Sequence, residues 1–488
     1  MTEQRVLSQL LYEIPVAETS GSADVLISSI EFDSRKIVPG SLFVATTGTA
    51  TDGHSYIDAA IQAGAVAVVC EHFPDIRQAG ICYVRVDNSA TALGHLASAW
   101  FDFPSSGLCL VGVTGTNGKT TIATLLYQLF RQLGYKAGLL STVVNYIDDQ
   151  PVEATHTTPD ALSINSLLAQ MVEAGCRYAF MEVSSHAVEQ GRIAGLEFDG
   201  GVFTNLTRDH LDYHLTFDNY LKAKKGFFDG LPATAFALTN ADDKNGMVML
   251  QNTRARKSSY SMRTLADYHT RILEHGFEGM LLSMNEREVN VSFIGKFNAA
   301  NLTAVYGTAM LLGADELEVL RILSSLKPVS GRFETLRSPS GYTAIVDYAH
   351  TPDALTNVIT TINQILQGSG RLITVVGCGG NRDKGKRPLM AREAVEGSWK
   401  AVFTSDNPRF EDPVEILNDM LAGLDAVQKN KSITVVDRRE AIKLACALAQ
   451  PGDVVLVAGK GHEDYQIIQG VKYHFDDREE VTNAFTNH

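Results

Sequence analysis

The feature that most constrains this chain is a recurring punctuation: short apolar runs that stop at glycine or at polar and charged residues. "LCLVGVTGTNGKT", "YAFMEVSSH", "GGVFTNLTRDH" and "AFALTNADD" follow one another in the middle of the sequence. "TAIVDYAHTPD", "LITVVGCGGNRDKG", "AVFTSDNPR" and "VVLVAGKGHED" do the same in its last third. Between the runs lie segments of helical spacing such as "ATLLYQLFRQLG", where Leu125, Leu126, Leu129 and Leu133 make one apolar face. Apolar strands alternating with helices predict an α/β fold of mainly parallel sheets covered on both sides. Ligands bind such sheets beyond the carboxyl ends of the strands, which is where the polar clusters fall. Two series of runs predict two sheets whose ligand edges face one another across a cleft.

A smaller α/β-like region containing "GSLFVATTG" and "AGAVAVVC" comes first. Breaks at "FDFPSSG" and "LKPVSGRFE" divide the chain into residues 1–102, 103–332 and 333–488. At roughly 100 to 200 residues per domain, the length also suits three. A composition of 45% hydrophobic and 20% charged residues is that of a globular protein. The formal net charge of −14 argues against a general nucleic-acid or anionic-membrane surface, so any basic site must be local. Six scattered cysteines with no CxxC pair fit a reducing cytoplasm. With no basic start before a long apolar core, and no stretch of about 18 apolar residues, neither export nor membrane spanning is expected.

"GVTGTNGKTT" between an apolar strand and a helix is the context of a phosphate loop. Val113 stands where the strict pattern has its first glycine, but the spacing Gly118, Lys119, Thr120 is intact. Gly115 and Gly118 let backbone amides approach phosphate oxygens, the helix beginning near Lys119 presents its positive end, and the Lys119 ammonium adds a mobile cation. Thr116, Asn117 and Thr121 complete the loop, and the Thr120 hydroxyl suits Mg²⁺. A phosphate loop alone leaves kinase, switch GTPase, motor and ligase open. Glu182 after "YAFM", and Asp209 and His210 after "GGVFTNL", bring a carboxylate and an imidazole to the same sheet edge, where a divalent ion beside nucleotide phosphates would sit.

In order along nearly the whole chain, "TGTNGKTT", "MEVSSHA", "RDHLDYH", "NADD", "GRFE", "DYAHTPDAL", "GCGGNRDKGKRP", "DNPR" and "GKGHEDYQ" resemble the motifs of the Mur ligase family. The resemblance implies an amino-terminal domain for the UDP end of the substrate, a central P-loop ATPase and a mobile Rossmann-like carboxyl-terminal domain. It implies ATP-dependent addition of an amino acid to UDP-MurNAc-L-Ala-D-Glu through an acyl phosphate, in peptidoglycan precursor synthesis, by a cytoplasmic monomer. Two Mg²⁺ ions are implied, held by Thr120, Glu182, His210 and Lys224, with Lys224 carbamylated to N6-carboxylysine. Without the resemblance, Lys222, Lys224 and Lys225 read as a solvated basic face. For ATP, the matching positions are Gly115 to Thr121, Asn298, Asn301, Arg332, Asp347 and His350. For the UDP-sugar dipeptide they are Phe32, Ser34, Thr49, Ala50, Thr51, Thr157, Thr158, Ser184, Gln190 and Arg192.

Which amino acid is added turns on Arg409. The resemblance makes DNPR the mark of members that add meso-diaminopimelate, and the chemistry agrees. Diaminopimelate is lysine with a second carboxylate at its far end, and a guanidinium fork recognises that group. Arg382, Asp406, Asn407, Pro408, Gly459 and Glu463 match the rest of the pocket, with Glu463 suited to an ammonium group. Asn381 stands where relatives commonly carry an acid. Lysine or ornithine addition on the same scaffold is the near alternative. A P-loop phosphotransferase or nucleotide switch is the distant one. As a bland reading, Arg409 pairs at the surface with Glu411 or Asp412.

Overall fold

Residues 4–48, 51–154 and 157–486 are described in the computed structural model, without the side chains of residues 211 and 212. Thr49 and Ala50 therefore lie outside the described residues. Three sheets carry the fold. The first is ordered Val16–Ser20, Cys82–Val86, Ala65–Cys70, Ser41–Val44, Ser29–Glu31, parallel except for its first strand. Phe32 packs half-buried against this sheet's core, and Ser34 opens the short turn Ser34–Lys36 just after the edge strand.

The central sheet runs parallel from Ala137–Leu140 through Tyr178–Glu182, Cys109–Thr114, Gly200–Phe203, Phe236–Asn240 and Arg256–Ser261 to the start of Tyr268–Gly276. Every residue of Tyr178–Glu182 and Gly200–Phe203 is buried, as expected for strands covered on both faces. Antiparallel strands extend both ends: Val144–Ile147 with Gln150–Glu153, and Tyr268–Gly276 with Gly279–Met284 and Arg287–Val291. These hairpins were not read from the sequence. The helix Lys119–Gln132 lays Ile122, Leu125, Leu126, Leu129 and Phe130 into the core, while Leu133, just past its end, is partly buried.

The third sheet is ordered Glu334–Arg337, Thr343–Asp347, Val454–Ala458, Leu372–Val376, Lys400–Phe403, Ser432–Thr434, with an antiparallel first strand and the rest parallel. Val454–Ala458, the last of the parallel strands along the chain, inserts between the first two of them. The strand order thus reverses there and opens a crevice at the carboxyl edge. Beneath it Arg438 and Asp477 form a fully buried ion pair: Nε and Nη2 reach the two carboxylate oxygens at 2.7 Å each, and Nη2 also donates to Ala458 O at 3.0 Å. Among the described residues no helix is long and apolar enough to cross a membrane.

Breaking a buried pair leaves one charge uncompensated, a loss of about 3–5 kcal/mol. Asp477→Asn is therefore expected to lower stability by about that amount in urea unfolding at unchanged m-value. A change below about 1 kcal/mol would show the pair to be energetically idle.

Candidate active site

The strand Cys109–Thr114 lies between Tyr178–Glu182 and Gly200–Phe203, so the loop leaving its end has strand ends on either side. Val113 lies inside the strand, its carbonyl accepting from the Val183 amide at 2.8 Å, and the turn begins at Gly115. At Gly115 the backbone has φ +150°, and a Cβ would come within 1.8 Å of Thr204 Oγ1. Thr116 Oγ1 bonds the Tyr220 hydroxyl and accepts from the Thr207 amide, both at 3.0 Å; the Asn117 amide donates to Asn205 Oδ1 at 2.9 Å. Neighbouring segments thus pin the loop before any ligand arrives.

Two lysine side chains meet on one carbonyl. Lys119 Nζ donates to Gly115 O at 2.9 Å and Thr116 O at 2.8 Å, and Lys224 Nζ donates to Gly115 O at 2.7 Å. Lys224 is buried on the helix Phe217–Asp229, above the Tyr220 ring at 4.8 Å. Burial, reinforced by the Lys119 cation, drives its pKa well below the usual lysine value. The reading of residues 222–225 as a solvated face is corrected at Lys224: the side chain points inward. Lys225, by contrast, pairs with Asp229 one turn on.

Glu182 is 1% exposed. Its Oε2 accepts from Thr120 Oγ1 at 3.0 Å, and its Oε1 from the Thr142 amide at 2.7 Å and Thr142 Oγ1 at 3.0 Å. His210 takes a left-handed backbone conformation, φ +54°, that turns its ring 3.3 Å from Asp209 and edge-on to His186 at 5.0 Å. Loss of hydration lowers its pKa against the pull of Asp209, although the side chain stays 44% exposed. Among the described residues no three His, Cys, Asp or Glu side chains gather in a metal-ligating cluster. A hard cation here needs the Thr120 hydroxyl beside Glu182, and further oxygen from elsewhere. A carbamate on Lys224 would supply it, and the uncharged amine that CO₂ requires is what burial favours there. The donor set fits Mg²⁺ on those terms.

The dipeptide set of the central domain is joined by hydrogen bonds. Arg192 donates to Thr158 O at 2.7 Å and to Gln190 Oε1 at 3.0 and 2.6 Å; Thr158 Oγ1 donates to Glu182 O at 2.9 Å and accepts from the Ser184 amide at 3.1 Å. Ser184 Oγ caps the helix Ser185–Glu189, and Thr157 Oγ1 accepts from Thr142 Oγ1 at 3.1 Å. Phe32, Ser34 and the exposed Thr51 sit on the first sheet's side of the molecule.

A cavity of about 670 Å³ opens between the phosphate loop and the third sheet, lined by Gly118, Asn298, Asn301, Arg332, Asp347 and His350 among others. Asn298 and Asn301 are buried in the first turns of the helix Lys296–Leu311 and hydrogen-bond to each other at 3.4 Å, rather than capping it. Arg332 Nη2 donates to Thr120 Oγ1 at 3.1 Å, and its guanidinium lies 4.4 Å above the Tyr348 ring. Burial pushes the Asp347 carboxyl up and the His350 imidazole down, the latter to about 4.

At the edge of the third sheet, Asp406 and Asn407 are buried. Asn407 Nδ2 donates to Glu463 Oε2 at 2.8 Å, and Lys460 Nζ donates to the same oxygen at 3.1 Å and to Asn407 Oδ1 at 3.3 Å. Gly459, at φ +116°, sits where a Cβ would come 2.8 Å from Asp406 Oδ2. Pro408 is buried and Arg409 half-buried, with Nη1 donating to Gly380 O at 2.9 Å. Arg382 is exposed, and its charge is close enough to depress the Arg409 pKa further below what burial does. The bland pairing of Arg409 with Glu411 is corrected, because Glu411 is taken by Arg387 and Lys384. Sequence reasoning missed Lys460, Tyr348 and Thr142. Lys460, fully buried between two glycines at a strand end, is the one whose local sequence carried a signal.

Fold and site define a class: a three-domain α/β protein whose P-loop faces the ligand edge of a second, Rossmann-like sheet. The chain belongs to the Mur ligase family. Its middle-domain description matches residues 113–309, its glutamate ligase domain 331–461, and the description "Mur ligase family, catalytic domain" 26–101. A protein of Phocaeicola vulgatus named UDP-N-acetylmuramoyl-L-alanyl-D-glutamate–2,6-diaminopimelate ligase is 61% identical over 481 residues, covering 99% of both chains. One of the same name from Parabacteroides distasonis is 62% identical over 480 residues, covering 98% of this chain and 99% of its own. A solved structure of a ligase of that name is 32% identical, with a TM-score of 0.70 and 99% of both chains covered.

Gly115→Ala drives a methyl into Thr204, so the loop must open. The expected result is at least a tenfold rise in the Kd for ATP, a loss of about 1.4 kcal/mol, in calorimetric titration. An unchanged Kd would show that the loop does not hold the nucleotide.

Proposed function

We propose that the protein joins meso-diaminopimelate to the D-Glu side-chain carboxylate of UDP-MurNAc-L-Ala-D-Glu with conversion of ATP to ADP and phosphate. The observation that carries this is the gathering of Arg409, Arg382, Asn407 and Glu463 at one edge of the third sheet, the sheet that faces the P-loop, which sets cationic and acidic groups near one another. The division at residues 102/103 and 332/333 belongs to the same reading.

A carboxylate is a poor electrophile, so its oxygen first attacks the γ-phosphorus of ATP, giving an acyl phosphate and releasing ADP. Lys119 and the loop amides bind the phosphates, and Arg332 faces them from the linker. Arg192, held by Gln190 and Thr158, orients the acceptor. The diaminopimelate amine then attacks the acyl carbon, expels phosphate and loses a proton, leaving an amide. Mg²⁺, when bound by Thr120, Glu182, His210 and carbamylated Lys224, supplies positive charge that offsets the charge gathering on the phosphoryl oxygens. Phe32, Ser34, Thr49, Ala50 and Thr51 hold the UDP end. The setting is the cytoplasm and the working unit a monomer, with small-molecule partners only, in keeping with a net charge of −14 that repels nucleic acid and anionic lipid.

With ATP, Mg²⁺ and UDP-MurNAc-L-Ala-D-Glu, the protein is expected to form tripeptide with diaminopimelate far faster than with lysine or ornithine. Preference for lysine would overturn the specificity, and no phosphate release with any of the three would sink the ligase. Arg409→Ala removes a charge-assisted contact worth about 1.5–3 kcal/mol, so kcat/KM for diaminopimelate is expected to fall roughly 10- to 150-fold. Lys224→Ala is expected to abolish turnover and a ¹³C carbamate resonance in labelled bicarbonate, with partial rescue by a small carboxylate. Wild-type protein without that resonance would refute the modification.

A further inference from the structure

The two loops that carry Arg382 and Arg409 are fastened together by residues outside the pocket. Arg387, at the start of the helix Arg387–Gly397, is fully buried. Its guanidinium grips Glu411 in a fork, Nη1 to Oε2 and Nη2 to Oε1, each at 3.0 Å. Nη1 also donates to Asp419 at 2.8 Å and Nη2 to Gly379 O at 3.3 Å. Glu411 Oε1 in turn accepts from the Asn381 amide, and Asn381 Oδ1 accepts from the Phe410 amide at 3.2 Å. The Gly380 amide also donates to Asn407 O at 2.9 Å, so the loops are bonded on both sides of Arg409.

The fastening holds a conformation that the local chain disfavours. Arg409 has φ +54° and Asn381 φ +53°, left-handed values that cost a residue with a Cβ and persist where surrounding contacts over-determine them. Backbones touch here: a Cβ on Gly380 would come 2.0 Å from Pro408 O. The Arg382 charge adds to burial in lowering the Arg409 pKa, so keeping the two like charges together at one edge needs a rigid frame. The hydrogen bonds from Arg387 hold the Glu411 carboxyl at a pKa of about 2, so the fork stays charged through any working pH.

We propose that the Arg387–Glu411 ion pair, with Asn381, is the positioning element that aims Arg409 at the distal carboxylate and thereby sets discrimination between diaminopimelate and lysine. It rests on the ligase reading and deepens it. Arg387 is buried and Glu411 is occupied by partners, so both act through Arg409 and not on the substrate.

The test measures KM for each of the three substrates, and kcat/KM for diaminopimelate against lysine, in wild type and Glu411→Gln. A displaced guanidinium is expected to raise KM for diaminopimelate about ten- to a hundredfold. KM for ATP and for UDP-MurNAc-L-Ala-D-Glu should stay within about twofold, and kcat at saturating diaminopimelate within about threefold. Arg387→Lys keeps the charge without the fork and should fall between. Asn381→Ala keeps the ion pair and removes the Phe410 acceptor; it should move the same KM in the same direction, and it decides the matter should Glu411→Gln fail to fold. Equal rises in all three KM values would mean general loosening and overturn the proposal, as would an unchanged diaminopimelate KM. A wild type that ligates no amino acid would instead sink the ligase reading on which it rests.

Discussion

Arg332 lies in the connection between the two larger domains, and its guanidinium bonds in both directions: to Thr120 Oγ1 at 3.1 Å and over the Tyr348 ring at 4.4 Å. The residue after it is fixed as well, since the Phe333 amide donates to Asp347 Oδ2 at 2.7 Å. The linker is therefore registered against the P-loop on one side and the first parallel strand of the third sheet on the other. A group that takes the Thr120 oxygen must compete with Arg332 or be joined by it. One side chain thus touches both the phosphate loop and the third sheet, beside the apolar contacts of Ile294 and Phe297 with that sheet's core.

The same economy governs charge. The chain is acidic overall, yet Lys119 and Lys224 are brought onto one carbonyl oxygen in a buried place. Two full cations at that spacing would repel strongly in a medium of low polarity. Neutralising the deeper one relieves the repulsion and frees its amine lone pair. Lys224 is the deeper, and its low pKa follows from burial first and Lys119 second. The arrangement favours anions at the loop, whether phosphate on Lys119 or a carboxylate built on Lys224, because either restores the local balance.

Much of this was legible in the sequence because strand ends announce themselves. An apolar run that stops at Gly115, Glu182, Asp347, Asp406 or Gly459 says both where the strand is and where its ligand edge lies. The hairpin strands Tyr268–Gly276 and Arg287–Val291 were not legible, since their partly exposed, charged residues lack the continuous apolar run used to find the others. Nor were the partners of Arg409. Glu411 looked like its neighbour in sequence, but Arg387, 24 positions away, outcompetes it by arriving with a complete fork from a buried helix start. Tyr348 was hidden for the same reason: it matters for what it underlies, Arg332, and that is a property of packing rather than spacing.

At the far end of the cleft, charge counting explains why Lys460 belongs to the pocket. Asp406 is buried and Glu463 half-buried, and two adjacent carboxylates resist ionising together. Lys460, with Arg438 behind it, holds Asp406 below the ordinary range despite burial, while burial and Asp406 push Glu463 up. Lys460 thus serves both carboxylates, pairing with Glu463 at 3.1 Å while its charge lowers the Asp406 pKa. One cation shared between two acids leaves this cluster net negative, the sign that draws an ammonium group, while Arg409 supplies the opposite sign at the same strand end.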